Sequence, residues 1–349
     1  MNIKPRIMVL LLGLLLSFPG AAAEYIDGSM RLVLHEESGR FSLYLLTESN
    51  KTRPLALFAD QDPRTSFLSV MVNDRSYKMG DSSAFRTYLG GDERSPSLIF
   101  ESSFLAVTEE FSFVRSRNSS GTIGISIKIS LENRASSQVS VGARLLLDTN
   151  LGEGTSGFPF TTNVRTISSE TLIKRGDSDT WWTDRNDKVS LSGSINTGSV
   201  STGSSEDPDS IHFANWKKLS DVSWKAPFQQ GRNFNFPPYS VGDSALCYYF
   251  EPRPLGRGEK CSFGFYLAVN DVDGFASFQQ PGTVKETIQD LPIQGRATPD
   301  EQDLAALREL MARIDAHIAS GSIAEEELAA IEFDLVRLRA KYGPGFNSR

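Results

Sequence analysis

The stretch Thr122–Phe160 reads TIGISIKISLENRASSQVSVGARLLLDTNLGEGTSGFPF, and its alternation decides the fold class. Ile125, Ile127, Ile129 and Leu131 fall on one face of an extended chain, while Gly124, Ser126, Lys128, Ser130 and Glu132 fall on the other. This is the period-2 pattern of a half-buried strand. Beyond the polar run Asn133–Ser137 it returns as Val139, Val141, Ala143, Leu145 and Leu147. The register predicts a hairpin centred near Ala135, with Ile129 opposite Val141, Ile127 opposite Ala143 and Ile125 opposite Leu145. The second strand ends at Asp148 and leads into a glycine-rich loop.

Working outward, Met30–Glu48 predicts another hairpin, with Gly39 supplying a positive φ in its turn. Leu55–Phe58, Ser66–Val72, Ser97–Glu101 and Phe104–Arg115 also have strand composition, and turn signals recur about every eight to twelve residues. The expected fold is mainly β: an antiparallel β-sandwich over residues 24–278. Within it, Ser190–Glu206 is rich in Ser, Gly and Thr and predicts a loop with a weak edge strand through Leu191 and Ile195. Phe213, Trp216, Trp224, Phe228, Phe234, Phe236 and Tyr239 follow without a period and predict a cap over one end of the core.

Residues 279–297, with Pro281, Gly282, Pro292 and Gly295, read as a linker. Thr298–Glu301 is a capping box, and Leu304, Leu307, Met311, Ile314 and Ile318 then recur at helical spacing. A second box at Ser322–Glu325 opens a run of Leu328, Ile331, Leu335, Leu338 and Tyr342, closed by Gly343. The two runs predict an antiparallel α-helical hairpin over 298–343. Each helix has one narrow apolar seam, so the hairpin is the expected binding element for an envelope or periplasmic protein, or for a second copy of the chain.

The first 23 residues carry Lys4 and Arg6, an apolar run from Ile7 to Phe18, and Ala21–Ala23. That is the anatomy of a signal peptide, and it places the protein in the periplasm or outside the cell. Lys plus Arg number 36 and Asp plus Glu 43, so the chain is acidic even before the basic leader is removed. The balance argues against nucleic acid as a partner, and no later apolar run has the length of a membrane span. The two cysteines, Cys247 and Cys261, flank a turn-rich segment, and a hairpin centred on Pro254 would set them face to face as a disulfide.

Chemistry is sparsely marked. His35, His212 and His317 have no second histidine or cysteine at metal-ligand spacing, and the nucleophile-elbow, Walker, dinucleotide and zincin motifs are absent, so neither metal nor cofactor is expected. Asn270, Asp271, Val272, Asp273 and Gly274 resemble the opening of a calcium loop, but no glutamate follows at the distance that would complete it. Asp148 and Glu153 bracket a loop leaving the central sheet, and Asp243 precedes the Cys247 strand. Three carboxylates at one end of a sandwich would suit sugar epimerisation or glycoside hydrolysis. The plainer account makes Asp148 a turn residue or the partner of Arg144. Trp181, Trp182, Trp216 and Trp224 are candidate sugar platforms, although core packing explains most aromatics.

VGARLLLDTNLGEGTSGFPF and DSALCYYFEPRPLGRGEKCSFGFYLAV together resemble a paired signature of uncharacterised secreted bacterial β-sandwich proteins, over roughly the central half of the chain. Asp148, Thr149, Gly152, Pro159 and Phe160 match its first part; Asp243, Ser244, Ala245, Tyr249 and Gly258 match its second. The resemblance implies a sandwich and no particular activity. With a C-terminal helical hairpin the chain also resembles spirochaete periplasmic proteins, among them flagellar accessory components, though without a tetratricopeptide pattern. A topological similarity to the galactose-mutarotase supersandwich is a further expectation. The leading functional expectation is therefore an exported, non-enzymatic binding or scaffold protein; the alternative is a carbohydrate-binding or carbohydrate-active sandwich using Asp148, Glu153 and Asp243.

Overall fold

The computed structural model describes residues 22–47, 54–59, 63–115, 121–149, 151–153, 160–196 and 205–269. The chain divides into two units, Met1–Thr283 and Val284–Arg349, and the described residues all belong to the first. The expected leader, linker and helical hairpin, the last with Leu304, Leu307, Met311, Ile314, Leu328, Ile331, Leu335 and Leu338, lie outside them, as do residues 270–274.

The strands run β1 (Ala23–Asp27), β2 (Met30–His35), β3 (Arg40–Leu45), β4 (Leu55–Ala56), β5 (Phe67–Val72) and β6 (Arg75–Lys78). Then come β7 (Arg86–Gly91), β8 (Pro96–Glu101), β9 (Leu105–Arg115), β10 (Thr122–Asn133), β11 (Val139–Leu147) and β12 (Phe160–Thr162). After β13 (Thr166–Ile167), β14 (Thr171–Lys174), β15 (Trp181–Arg185), β16 (Ser190–Ser194) and β17 (Ser210–Asn215) comes one short helix, α1 (Trp216–Ser220). β18 (Ser244–Leu255) and β19 (Lys260–Val269) close the described chain.

All pairings between named strands are antiparallel, in three sheets: β1-β2-β3-β4, β13-β12-β15-β16-β19-β10-β9-β8-β7, and β14-β17-β18-β11-β5-β6. The nine- and six-stranded sheets face each other across one apolar core to which both contribute. Aromatic stacks cross it: Tyr248 of β18 lies 4.2 Å from Phe265 of β19, and Phe250 lies 4.7 Å from Phe263. The mainly β, antiparallel sandwich expected from the alternation is what the chain forms. The hairpin at Gly39 also forms, with φ 61° at that glycine.

The central hairpin does not. Ile125, Ile127, Ile129 and Leu131 are all buried as the pattern requires, yet β10 pairs with β9 and β19, while β11 pairs with β18 and β5. The turn between them is an arch joining the two sheets. Asn133, 1% exposed, holds it: its Nδ2 donates to the Ser137 and Leu255 carbonyls, and its Oδ1 accepts from the Ala135 amide. The unbroken run Leu145–Leu147 is buried on both faces, as an interior strand requires and a half-buried hairpin arm does not.

The same topology removes the expected disulfide. β18 does not turn back at Pro254; it continues along β11 to Leu255, and the chain crosses to the other sheet before β19 begins. Cys247 sits opposite Leu146 and His212, Cys261 opposite Leu131, and both are free thiols.

Two other segments differ from expectation. Ser190–Ser194 is an interior strand between β15 and β19, because its small residues leave room for the buried Trp182 ring; a Cβ on Gly193 would lie 2.3 Å from that indole. The Trp182 Nε1 donates to the Tyr248 hydroxyl at 2.6 Å, which in turn donates to the Ser194 carbonyl. The aromatic-rich segment after β17 covers the outer face of the six-stranded sheet, where Trp216, Leu219, Val222 and Ala226 pack on Phe67, Leu146, Cys247 and Tyr249.

Candidate active site: three carboxylates beside the β11–β18 pair

Because β11 and β18 are antiparallel neighbours, with Leu147 opposite Leu246, the end of one and the start of the other lie together. This brings Asp148 and Asp243 to the same end of the six-stranded sheet. Glu153, five residues beyond Asp148, completes the group: its Oε1 accepts from the Ser244 amide at 2.6 Å and from the Ser244 hydroxyl at 3.3 Å. One carboxylate oxygen from each of Asp148, Glu153 and Asp243 lies within 4.8 Å of the other two. The three residues offered by sequence as an alternative site therefore converge.

Each is positioned by backbone. The Asp148 amide donates to Ser66 Oγ at 2.9 Å, and its carbonyl accepts from the Ala59 amide at 2.8 Å. The following loop is tied to the opposite sheet through Asp184 of β15, whose Oδ2 accepts from Thr149 Oγ1 at 2.5 Å and from the Leu151 amide at 3.0 Å. Asn215 Nδ2 donates to the Asp243 carbonyl at 3.0 Å. Arg144 is not the partner of Asp148: it donates to the Trp224 and Leu219 carbonyls on the outer face of the sheet.

The electrostatics follow from burial and like charge. Burial pushes the Asp148 carboxyl up to about 6, with Asp243 and Asp184 adding to the shift and a hydrogen bond from Thr65 opposing it. Burial pushes Glu153 to about 7 against the two Ser244 donors, helped by the charges of Asp243 and Asp148. Asp243 is also raised by burial, against a hydrogen bond from Ser240. Asp184 is driven to about 6 by burial despite its donors. The forces that oppose burial at the three carboxyls are hydrogen bonds from hydroxyls and amides, and no lysine or arginine among the described residues restores their acidity. The arrangement can pass protons near neutral pH, and its three oxygens would also accept a hard divalent cation.

The tryptophans do not gather at this site. Trp182 is core, Trp181 packs against the Val114–Tyr266–Ala268 cluster, Trp216 donates its Nε1 to the Thr65 carbonyl, and Trp224 stands edge-on to Tyr249. A cleft of about 690 Å³ lined by Glu24, Ile26, Arg31 and Leu46 contains none of the carboxylates. Sequence reading missed a second buried polar group, in which Glu170 accepts from His212 and Lys218. Its members are 42 and 48 residues from Glu170, and no local spacing connects them.

No protein-family model matches the chain, and no curated protein does either. Similar solved structures include a galactose mutarotase related enzyme from Lactobacillus acidophilus, at 8% identity and TM-score 0.45, covering 72% of this chain and 98% of that one. A putative aldose 1-epimerase from Escherichia coli K12 has 8% identity and TM-score 0.42, covering 72% and 99%. A galactose mutarotase-like protein from Lactobacillus casei has 8% identity and TM-score 0.41, covering 71% and 100%. The leading expectation, a non-enzymatic scaffold or flagellar accessory protein, is thereby corrected. The three carboxylates that the carbohydrate alternative requires come together at one end of the six-stranded sheet.

Proposed function

We propose that the chain is an exported, carbohydrate-active protein in which Asp148, Glu153 and Asp243 exchange protons with the oxygens of a sugar. The observation that carries this is the approach of three carboxylates within 4.8 Å. With Asp148 near 6 and Glu153 near 7, a proton acceptor and a proton donor stand side by side at neutral pH. Interconversion of anomers fits such a pair. The base takes the proton of the anomeric hydroxyl as that C–O becomes a carbonyl, the bond from the anomeric carbon to the ring oxygen breaks, and the acid protonates the ring oxygen. Rotation and reclosure return both protons and give the other anomer. Export is supported by the leader-like composition of residues 1–23, and the helical pair over 298–343 by its capping boxes and seams.

The test is anomeric exchange of galactose and glucose followed by NMR. The full chain should accelerate exchange, and Asp148→Asn or Glu153→Gln should lower the acceleration by about 100-fold or more. No acceleration with any aldose, together with no retention on a glycan array, would overturn the proposal.

A further inference from the structure

We infer that Tyr239 is a stacking platform that presents a pyranose ring to the three carboxylates; this rests on the carbohydrate reading above. Tyr239 is 68% exposed and Val241 78% exposed, two of the few large apolar side chains that the described chain leaves in solvent. An exposed aromatic ring on a slack loop would be unremarked, but this loop is tied by hydrogen bonds on both sides of Tyr239. Asn215 Nδ2 donates to the Phe234 carbonyl at 2.9 Å, to Ser240 Oγ at 2.9 Å and to the Asp243 carbonyl at 3.0 Å. The Tyr239 amide donates to the Phe236 carbonyl at 2.8 Å, the Phe236 amide to the Ser240 carbonyl at 2.7 Å, and the Gly242 amide to Asn235 Oδ1 at 2.6 Å.

The loop is also coupled to the site. Ser240, next to Tyr239, hydrogen-bonds the Asp243 carboxylate and accepts the same Asn215 amide that anchors the start of β18. Fixing a ring in solvent contributes little to folding, whereas a pre-positioned aromatic face lowers the ordering cost of a ligand that stacks on it. The ligand that combines an apolar face of C–H groups with hydroxyls for carboxylate acceptors is a sugar ring. Phe236, 6.0 Å away and tilted 31°, and Lys217, whose Nζ stands 5.4 Å over the Tyr239 ring, hold the ring's orientation.

The experiment compares the wild-type chain with Tyr239→Ala and Tyr239→Phe, using galactose and maltotetraose. Anomeric exchange gives KM and kcat, and saturation-transfer NMR gives binding directly. Tyr239→Ala should raise KM at least tenfold with kcat and melting temperature unchanged, while Tyr239→Phe, which keeps the ring, should stay within twofold. If KM is unmoved in Tyr239→Ala while Asp148→Asn abolishes turnover, the platform is refuted and the carbohydrate reading stands. If the wild type neither turns over nor binds either sugar, both fall. A change in self-association in place of sugar affinity would reassign Tyr239 to a protein contact and also overturn the inference.

Discussion

Glu170→Ala is expected to be among the most damaging single changes outside the apolar core. Glu170 is 3% exposed, and its Oε1 accepts from His212 Nε2 at 2.9 Å, Lys218 Nζ at 2.8 Å and the Gln229 amide at 2.9 Å. Its Oε2 accepts from Lys218 Nζ at 2.7 Å. One carboxylate thus binds β17, α1 and the loop after α1 to one another. Burial lowers the His212 pKa, so at pH 7 the imidazole is neutral and Lys218, 8% exposed, carries the charge that Glu170 balances. Removing the carboxylate strands an ammonium in a dry site, which costs about 3–5 kcal/mol. At roughly 2–4 °C per kcal/mol for a chain of this size, the melting temperature should fall by about 10 °C. Calorimetry at pH 7 measures it, and Glu170→Ala/Lys218→Met should recover at least half of the loss because no charge is left unpaired. A loss below about 1 kcal/mol, or no recovery in the double variant, would refute the reasoning.

Gly193→Ala should lower stability by about 1–3 kcal/mol through overpacking against Trp182, and thermal melts will show a loss if Ser190–Ser194 is the interior strand described. Cys247 and Cys261 should both be alkylated after denaturation without reductant, since they stand on strands of different sheets; labelling of neither would restore the disulfide. In the folded protein Cys261 should react slowly even where reagent reaches it, because burial pushes its thiol up to about 11.

Alternation revealed faces but not partners. The residues Ile125–Leu131 and Val139–Leu147 are buried where their period places them, but period 2 is the same whether the neighbouring strand is next in sequence or over a hundred residues away. β10 found β19 and β11 found β18, both from distant segments, and the one local cue, Asn133, serves an arch as readily as a turn. Asp148 and Asp243 were legible as a possible pair because each abuts a strong strand pattern. The misreading of Ser190–Ser194 has a physical origin: small residues signal flexibility in isolation, and only the Trp182 ring that covers them makes smallness a packing requirement. Tyr239 could be seen as aromatic, but its exposure on a fixed loop depends on Asn215, which sequence does not connect to it.

Stability should fall as pH rises from about 5 to 8, opposite to a protein stabilised by carboxylate ion pairs. Asp148 and Asp184 are raised to about 6, Glu153 to about 7 and Glu109 to about 8, each first by burial. A carboxyl whose pKa is higher folded than unfolded binds its proton more tightly in the native state. Its stabilisation is complete below the unfolded value, near 4, and is lost as pH climbs through the folded one. Glu109 sets the upper end of the window: it faces the core from β9 at 1% exposure, its Oε1 has no hydrogen-bond partner, and Arg40 only partly offsets its burial. A neutral acid tolerates that position; an ionised one does not. His35 and His212, whose pKa values are lowered by burial, act in the other direction and cost stability as pH falls below about 6.5, so they soften the acid side of the curve. Melting curves from pH 5 to 8 should therefore descend, Glu109→Gln should flatten the segment between about 6.5 and 8, and Asp148→Asn the segment below it. A slope above pH 6.5 unchanged by Glu109→Gln would refute the account of Glu109, and a melting temperature that rises across the whole range would show that Glu153 is ionised in the folded protein at neutral pH, leaving the pair proposed with Asp148 without its proton donor.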